Sequence, residues 1–295
     1  MRLTARVPAT VANLGPGFDC FGLALALHNE VVIDTDAEPG VTIEGEGADE
    51  LPRDESNLVL RTLRAAEKEA KDELPPFRLE CTNRIPLERG LGSSAAAVVG
   101  GLLLANHLFD SWIRSDRLLE MAVELEGHAD NVGAALGGGV TMTYQADGRW
   151  WLDRFEPPEE IRPVALIPES IRVQTDAARR ALPNQVEFAD ATFNATRAAM
   201  LSLALTSRPH LLYRALEDRL HQDARLALAP PSRELFDRLR DARVPVCVAG
   251  SGPTILAFDT EEGGDVPDPG PGWRVLRPGI ERRGAYVVEA DPFRR

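Results

Sequence analysis

Apolar and polar side chains alternate along four short stretches in the first part of the chain, as they do in half-buried β-strands. This pattern predicts strands at residues 3–7, 29–37, 41–44 and 77–82. Between the last two stretches, apolar residues recur every three or four positions and charged residues fill the opposite face, which predicts an amphipathic helix at 57–70. Strands followed by a helix and a further strand are typical of an α+β or mixed α/β fold, with one sheet covered by helices.

The rest of the pattern predicts a second set of elements beyond a connector rich in proline and glutamate at 154–160. Such connectors commonly separate domains, so we expect one domain at 1–158 and another at 159–295. A hairpin that turns at Ala146-Asp147-Gly148 is predicted just before this boundary. A helix is also predicted before the boundary, at 116–126. Beyond it, the pattern predicts helices at 175–182, 193–205, 211–228 and 233–243, strands at 163–167, 244–249, 255–258, 273–276 and 285–289, and a polar loop at 261–272.

A glycine-rich loop, Gly90-Leu91-Gly92-Ser93-Ser94, follows a predicted strand end at 85–87 and precedes a buried helix predicted at 95–108. Its glycines allow the backbone to approach an anion closely, and its serines lie at a helix start, where free N–H groups and the helix dipole favour negative charge. An ordinary helix cap uses the same residues, so both interpretations stay open. Serine stands where a Walker loop has lysine, so a nucleotide here would need backbone amides, a divalent metal and arginines to meet its charge.

A second loop at residues 9–19 contains two glycines, a proline and the polar side chains of Asn13 and Asp19. One interpretation is a tight turn with no further role. The other is a rigid Gly-Pro-Gly turn that presents an amide and a carboxylate to a small polar ligand. The pattern of residues leaves both open.

Glu126 falls near the edge of the apolar face of the helix predicted at 116–126, whereas Glu120 and Glu124 fall on the opposite face. We expect Ser115 to cap this helix. A carboxylate beside an apolar face is costly without a partner, which favours Glu126 as a metal ligand. The alternative is that Glu126 reaches solvent at the helix end.

A polar segment, Gly127-His128-Ala129-Asp130-Asn131-Val132-Gly133, follows directly and leads into the hairpin. Polar side chains bounded by glycines in a connecting segment are typical of functional loops. An isolated histidine more often has a structural role, but this setting favours a functional role for His128.

The charge of the chain narrows its partners. Its 295 residues include 33 basic and 46 acidic side chains, for a net charge of −13. Nucleic acid and anionic membranes both need a basic surface, so we expect neither as the main partner.

Cys20, Cys81 and Cys247 are far apart and lack metal-ligand spacing, as in reduced cytoplasmic proteins. Without a targeting segment or a run of about 20 apolar residues, the chain is expected to be cytoplasmic.

Four motifs, in the same order along nearly the whole chain, resemble those of a known kinase superfamily. Residues 86–96 resemble the phosphate loop of the GHMP kinases, and residues 126–131 and 250–254 resemble two further motifs. Residues 8–19, Pro-Ala-Thr-Val-Ala-Asn-Leu-Gly-Pro-Gly-Phe-Asp, resemble the N-terminal motif of the homoserine kinases within that superfamily. This first motif, taken with the His-Ala-Asp-Asn segment, favours homoserine as the substrate.

The resemblance implies an α+β fold of two domains, the first like the second domain of ribosomal protein S5 and the second ferredoxin-like. It implies ATP-dependent phosphorylation of the homoserine hydroxyl in threonine biosynthesis, in a family that often forms homodimers. By position, Ser94 and Glu126 would hold Mg²⁺. The ATP phosphates would be wrapped by Pro86, Leu87, Glu88, Arg89, Gly90, Leu91, Gly92, Ser93, Ser94, Ala95 and Ala96. The homoserine pocket would be lined by Asn13, Asp19, His128, Asn131, Thr175, Arg179 and Arg225.

The residue types suit this chemistry. Asp19 is suited to the ammonium group of homoserine, and Arg179 and Arg225 are suited to its carboxylate. Related kinases have an aspartate base near the position of Asn131, but an amide cannot take a proton. We therefore predict direct in-line transfer without a protein general base, with Asn131 and Arg179 as the catalytic residues and the hydroxyl proton passing to the phosphate or to water.

Two residues depart from the family pattern. Val11 stands where the family has serine, which removes a hydroxyl next to the substrate, and Glu88 stands where the loop has a small residue. Glu88 places negative charge near the phosphates unless Arg89 pairs with it.

Two other functions remain open at this point. A GHMP kinase for another small alcohol would be expected if Asp19, Arg179 and Arg225 did not converge on one pocket. A nucleotide-binding regulator without turnover would need Ser94 or Glu126 to lie out of reach of the metal.

Overall fold

The computed structural model describes residues 1–110, 113–259 and 264–289. The strands in these ranges are β1 (Arg2–Ala12), β2 (Phe21–Asp34), β3 (Gly40–Gly45), β4 (Arg78–Asn83), β5 (Val140–Ala146), β6 (Arg149–Phe155), β7 (Arg162–Pro168), β8 (Val246–Val248), β9 (Ile255–Asp259), β10 (Trp273–Leu276) and β11 (Tyr286–Glu289). The helices are α1 (Leu58–Ala70), α2 (Ser93–Leu108), α3 (Ser115–Glu126), α4 (Ala129–Gly137), α5 (Thr175–Arg180), α6 (Phe188–Ala204), α7 (Leu212–Ala215), α8 (Gln222–Leu226) and α9 (Pro230–Asp241), with a 3₁₀ turn at Pro209–Leu211.

The strands form two sheets, one on each side of the boundary expected at residue 158. The first has the order β11-β1-β2-β4-β3, with β5 paired to β2 and β6 paired to β5, and the second has the order β10-β7-β9-β8. Strand β11 comes from the C-terminal end and pairs antiparallel with β1, so the first sheet also takes a strand from beyond that boundary. None of the described helices is long and apolar enough to cross a membrane.

Strand β1 runs through Pro8 to Ala12, so the prediction that this strand ends at Val7 was wrong. The register of β1 against β2 shifts between Pro8 and Ala9. A proline is tolerated at such a bulge because no ladder N–H is needed there. The strand therefore contains the first five residues of the first motif, 8–12, all of which are buried.

Helix α2 packs closely between the first sheet and α1. A Cβ atom on Gly100 would lie 3.1 Å from the Val31 side chain, and one on Gly101 would lie 2.9 Å from Thr62. The helix is apolar and buried, as predicted. Its two glycines allow the close approach to Val31 and Thr62. Its packing fixes the direction in which its N-terminus points.

The region predicted as one helix at 211–228 is instead two short helices, α7 and α8, joined by an irregular segment. The carboxylate of Asp218 accounts for the break, because it accepts hydrogen bonds from the backbone N–H groups of His221 and Gln222 and from the side chain of Asn194. Aspartates that bond to nearby backbone groups compete with a continuous helix in this way.

We expect Asp218→Ala to lower the free energy of unfolding by about 2–4 kcal/mol, because it leaves buried donors without an acceptor. Urea denaturation measures the difference. Asp223→Ala is the control, since the Asp223 side chain is 83% exposed and its ion pair with Arg233 lies at the surface. This control should lose less than about 1 kcal/mol. Equal losses in the two variants would contradict the account of the helix break.

Other predictions differ at the ends of elements. Ser115 is the first helical residue of α3 and Arg114 takes the N-cap position, so Ser115 is not the cap. The segment expected as a loop at 127–133 is mostly the start of α4, which follows directly after Gly127 ends α3 at a φ of 87°. Strand β4 ends at Asn83, so 85–87 is not a strand end. The polar loop expected at 261–272 lies partly outside the described residues.

Candidate active site

A cavity of about 760 Å³ lies between the two halves of the chain, where the first sheet, α2 and the loops of the second half meet. Its wall includes every residue expected in the substrate pocket and most of the phosphate loop. The residues expected to bind one ligand therefore border one space. From the candidate set they are Asn13, Asp19, His128, Asn131, Thr175, Arg179, Arg225 and residues 86–94.

The glycine loop ends at the N-terminus of α2, with Gly92 as the N-cap residue at a φ of 72°. No described side chain caps this helix start, so the first-turn N–H groups are available to an anion. A Cβ atom on Gly92 would lie 1.9 Å from Oγ1 of Thr10. Only glycine fits this position, because both its φ angle and its surroundings exclude a side chain.

The second half of the chain holds the loop in place. The carbonyl of Glu88 accepts a hydrogen bond from the Val173 N–H at 3.1 Å, and Nη2 of Arg89 donates to the Glu169 carbonyl at 2.9 Å. In the described part of the chain Arg89 forms no ion pair with Glu88, whose side chain is exposed, so the charge of Glu88 near the loop is not neutralised in this way. Burial lowers the pKa of Arg89, and its Nη1 atom has no partner in the described part of the chain. The loop thus carries a buried positive charge beside the cavity.

Ser94 and Glu126 meet at the N-terminal end of α2. The Ser94 hydroxyl donates to Oε1 of Glu126 at 2.8 Å, while Oε2 accepts the His128 backbone N–H at 2.7 Å and lies 3.1 Å from its Nδ1. The Glu126 side chain is 3% exposed. It therefore does not reach solvent, which was the alternative that its place at the helix end left open. The hydrogen bond to this carboxylate raises the pKa of His128.

Asn131 faces the cavity from the first turn of α4. Its Oδ1 accepts a hydrogen bond from the buried hydroxyl of Thr10 at 2.8 Å. Because the oxygen is engaged in this way, the Nδ2 group is the part of the amide that remains for a ligand. Asn131 therefore presents a donor.

Asp19 and Arg179 form a two-pronged ion pair across the cavity, with Nη1–Oδ2 and Nη2–Oδ1 distances of 2.7 and 2.9 Å. Asp19 lies at a φ of 55° on the N-terminal loop and donates its backbone N–H to Oδ1 of Asn13, whose Nδ2 donates to the Gly250 carbonyl. These bonds fix the position of the Asp19 carboxylate at the cavity. The carboxylate of Asp19 and the guanidinium of Arg179, which suit the ammonium and carboxylate of an amino acid, therefore bind each other in this structure.

Arg225 lies beside this pair and is 6% exposed, whereas arginines near helix ends are usually solvated. Its Nη1 donates to the Gly250 carbonyl at 2.5 Å. Burial, and secondarily the nearby charge of Arg179, lowers the pKa of Arg225 to about 10, so the guanidinium is still charged at neutral pH. A buried cation next to a cavity favours an anionic ligand group.

The sequence pattern did not single out Asp130, although it belongs to the polar segment. It is 3% exposed, its Oδ1 accepts the Asn131 N–H, and its Oδ2 has no partner among the described residues. Burial, followed by the charge of Asp19, raises the pKa of Asp130 to about 6. Its position next to Asn131 in the sequence was the signal that could have indicated a place at the site.

This shift predicts a pH-dependent stability. Since the pKa of Asp130 is higher in the folded than in the unfolded chain, its contribution is favourable at low pH and is lost as the pH rises through about 6. Asp130→Asn keeps the Oδ1 acceptor but cannot ionise, so it should be more stable than the parent at pH 7.5 by up to about 3 kcal/mol, and nearly equal at pH 4. Urea denaturation at both pH values is the test, and a difference that does not depend on pH would refute it.

Comparison with known proteins identifies the family. The family model of the GHMP kinases N terminal domain matches residues 57–139. The chain is 44% identical over 289 residues to a homoserine kinase of Streptomyces avermitilis, covering 96% of this chain and 94% of that protein. The chain belongs to the homoserine kinase family. A second member, from Mycolicibacterium vanbaalenii, is 44% identical over 268 residues and covers 88% of this chain and 85% of its own.

Solved structures agree with the homoserine kinase fold. A homoserine kinase crystal structure from Cytophaga hutchinsonii aligns with a TM-score of 0.83 at 28% identity, covering 97% of each chain. Mevalonate diphosphate decarboxylase from Staphylococcus aureus aligns at 0.66 and 13% identity, over 98% of this chain and 98% of that chain, which is a likeness of fold alone. The predicted α+β GHMP kinase fold is confirmed.

Proposed function

We propose that this chain transfers the γ-phosphoryl group of ATP to the side-chain hydroxyl of L-homoserine, giving O-phospho-L-homoserine. The observation that carries this proposal is the convergence of Asp19, Arg179 and Arg225 on one cavity beside the phosphate loop. A carboxylate and two guanidinium groups match the ammonium and carboxylate of an amino acid. An alcohol without an ammonium and a carboxylate would leave the charges of these three side chains without partners on the substrate.

The ATP phosphates would lie on residues 86–96, at the N-terminus of α2. The backbone N–H groups of that turn, the helix dipole and the buried charge of Arg89 favour them. Apolar side chains also line the cavity and suit the adenine ring. These side chains are Ile43, Leu51, Leu58 and Val59.

Ser94 and Glu126 would hold Mg²⁺. The described residues contain no group of three or more His, Cys, Asp or Glu side chains that could bind a metal by themselves. Mg²⁺ needs no such group, because it commonly binds one or two protein oxygens together with phosphate oxygens and water. The Ser94 hydroxyl and the Glu126 carboxylate, which are 2.8 Å apart in the cavity wall, therefore fit the ion. When bound, it would neutralise charge on the transferred phosphoryl group.

Transfer would proceed without a protein base. The Nδ2 group of Asn131 would donate to the substrate hydroxyl oxygen and fix its direction toward the phosphate, while the proton leaves to the phosphate or to water. Arg179 would release Asp19 and bind the substrate carboxylate, so that Asp19 can take the ammonium group. His128, Asn13 and Thr175 complete the wall around the substrate.

The resemblance to the family implies the wider setting of the enzyme. We place the enzyme in threonine biosynthesis in the cytoplasm, as a homodimer that acts on small molecules and not on nucleic acid. Residues 1–158 would supply the ATP site, and residues 159–295 would supply the arginines.

Substrate analogues test the charge recognition directly. Homoserine should support ADP release, whereas 4-hydroxybutyrate, which lacks the ammonium, and 3-aminopropanol, which lacks the carboxylate, should each lose about 100-fold or more in kcat/KM. Equal use of all three alcohols would argue against an amino-acid kinase. Background ATP hydrolysis without any alcohol is subtracted in each case.

A further inference from the structure

His221 is a buried histidine that phosphoryl transfer does not use. It is 1% exposed and precedes α8. Its ring joins the two halves of the chain, with Nε2 at 2.7 Å from the Gly15 carbonyl oxygen and Nδ1 at 3.1 Å from Nη1 of Arg225. The histidine thus connects the N-terminal motif to a predicted substrate residue.

The two partners determine where the proton of the ring lies. A carbonyl only accepts and a guanidinium only donates, so Nε2 carries the proton toward Gly15 and Nδ1 accepts from Arg225. Burial lowers the pKa of His221 to about 4, and this loss of solvation outweighs the attraction of Asp218, whose carboxylate is 3.8 Å away and already holds backbone N–H groups. The ring is therefore neutral at neutral pH.

The contact with His221 leaves one edge of Arg225 unoccupied. Its Nη1 is engaged by His221 and by the Gly250 carbonyl, while Nε is buried without a partner and Nη2 makes no hydrogen bond to the described residues. Nε is enclosed by protein, so Nη2 is the guanidinium group that remains for a ligand. Arg225 lines the cavity, and a charge-assisted hydrogen bond from Nη2 suits a carboxylate oxygen.

Phe18 strengthens the arrangement. Its ring stacks on His221 with a centroid distance of 5.0 Å and an interplanar angle of 26°. The guanidinium carbons of Arg225 and Arg179 each lie 5.4 Å from the Phe18 centroid. An aromatic ring near both cations reduces the cost of keeping them close together.

We propose that His221 is a positioning residue for the substrate carboxylate, because its Nδ1 holds Nη1 of Arg225 and so leaves the free Nη2 group to an amino-acid substrate. This proposal rests on the proposed function, since it requires that Arg225 binds that carboxylate. His221 itself does not touch the substrate.

Three variants separate its two hydrogen bonds. His221→Phe keeps a ring against Phe18 and removes both bonds. His221→Gln can reach Gly15 with its amide N–H but places no acceptor at the Nδ1 position, whereas His221→Asn places its oxygen there and loses the bond to Gly15. We expect Phe and Gln to raise the KM for homoserine at least about tenfold, with kcat and the KM for ATP within about twofold, and Asn to raise it less.

The outcomes are distinguishable. If the parent protein does not turn over homoserine, the proposed function and this proposal both fail. If the parent is active but the three variants shift the homoserine KM equally, or lower kcat alone, only the positioning role is overturned. In an Arg225→Ala background, His221→Gln should cause no further rise in KM, and a further tenfold rise would contradict the proposal. If His221→Phe does not unfold cooperatively, the Gln and Asn comparison decides the matter.

Discussion

Arg179→Ala should lower kcat/KM for homoserine by about 100-fold, while the KM for ATP changes little. The variant loses a charged anchor for the substrate carboxylate. It also leaves Asp19 without the partner that it holds at 2.7 and 2.9 Å in this structure. Steady-state ADP release at varied homoserine concentration measures the effect.

The neighbouring arginine provides a matched control. Arg180 follows on the same short helix and is exposed, and it does not line the cavity. Arg180→Ala should leave kcat/KM within about twofold of the parent, as surface substitutions usually do. Comparable losses in both variants would show that α5 matters for its fold or net charge rather than for the guanidinium of Arg179.

Glu126→Gln should lower kcat by roughly 1000-fold at ordinary Mg²⁺ concentrations, because it removes the only carboxylate assigned to the metal. The amide oxygen can accept the His128 N–H, and the amide NH₂ group can donate to the Ser94 hydroxyl oxygen, so the local structure should persist. Turnover measured across a range of Mg²⁺ concentrations is the readout, and high Mg²⁺ should restore part of the loss.

Glu124→Gln controls for the charge change on the same helix. Its side chain is 61% exposed and pairs with Arg117 at the surface, so kcat and the Mg²⁺ dependence should stay near those of the parent. If Glu126→Gln were as active as Glu124→Gln, Glu126 would not be a metal ligand.

The glycine loop and the helix after it could be predicted because their signals are local. One stretch of sequence contains Gly90, Gly92 and the small apolar residues of α2. It therefore predicts a tight backbone turn followed by a buried helix. The same holds for α1, where the N-cap Asn57 and the periodic leucines lie within a few turns of each other. The family motifs added the kinase fold and the choice of substrate.

Tertiary contacts decided what the sequence pattern could not. Asp19 and Arg179 are 160 positions apart, so no local pattern states that they meet. The break near Asp218 depends on Asn194, which comes from another helix, and the helical start at 127–133 was hidden by its glycines and polar residues. Strand β11 pairs with β1, which lies at the other end of the chain. A local sequence pattern cannot predict such a pairing.

The most direct test of the central claim is ADP release by the purified protein with ATP and Mg²⁺, comparing homoserine with threonine, serine and mevalonate. The geometry predicts turnover that depends on homoserine, weak or no turnover with the other three, and collapse in Arg179→Ala. Preferred turnover of mevalonate would contradict recognition of an amino acid by Asp19, Arg179 and Arg225. Tight ATP binding with no turnover of any alcohol would contradict the kinase activity itself.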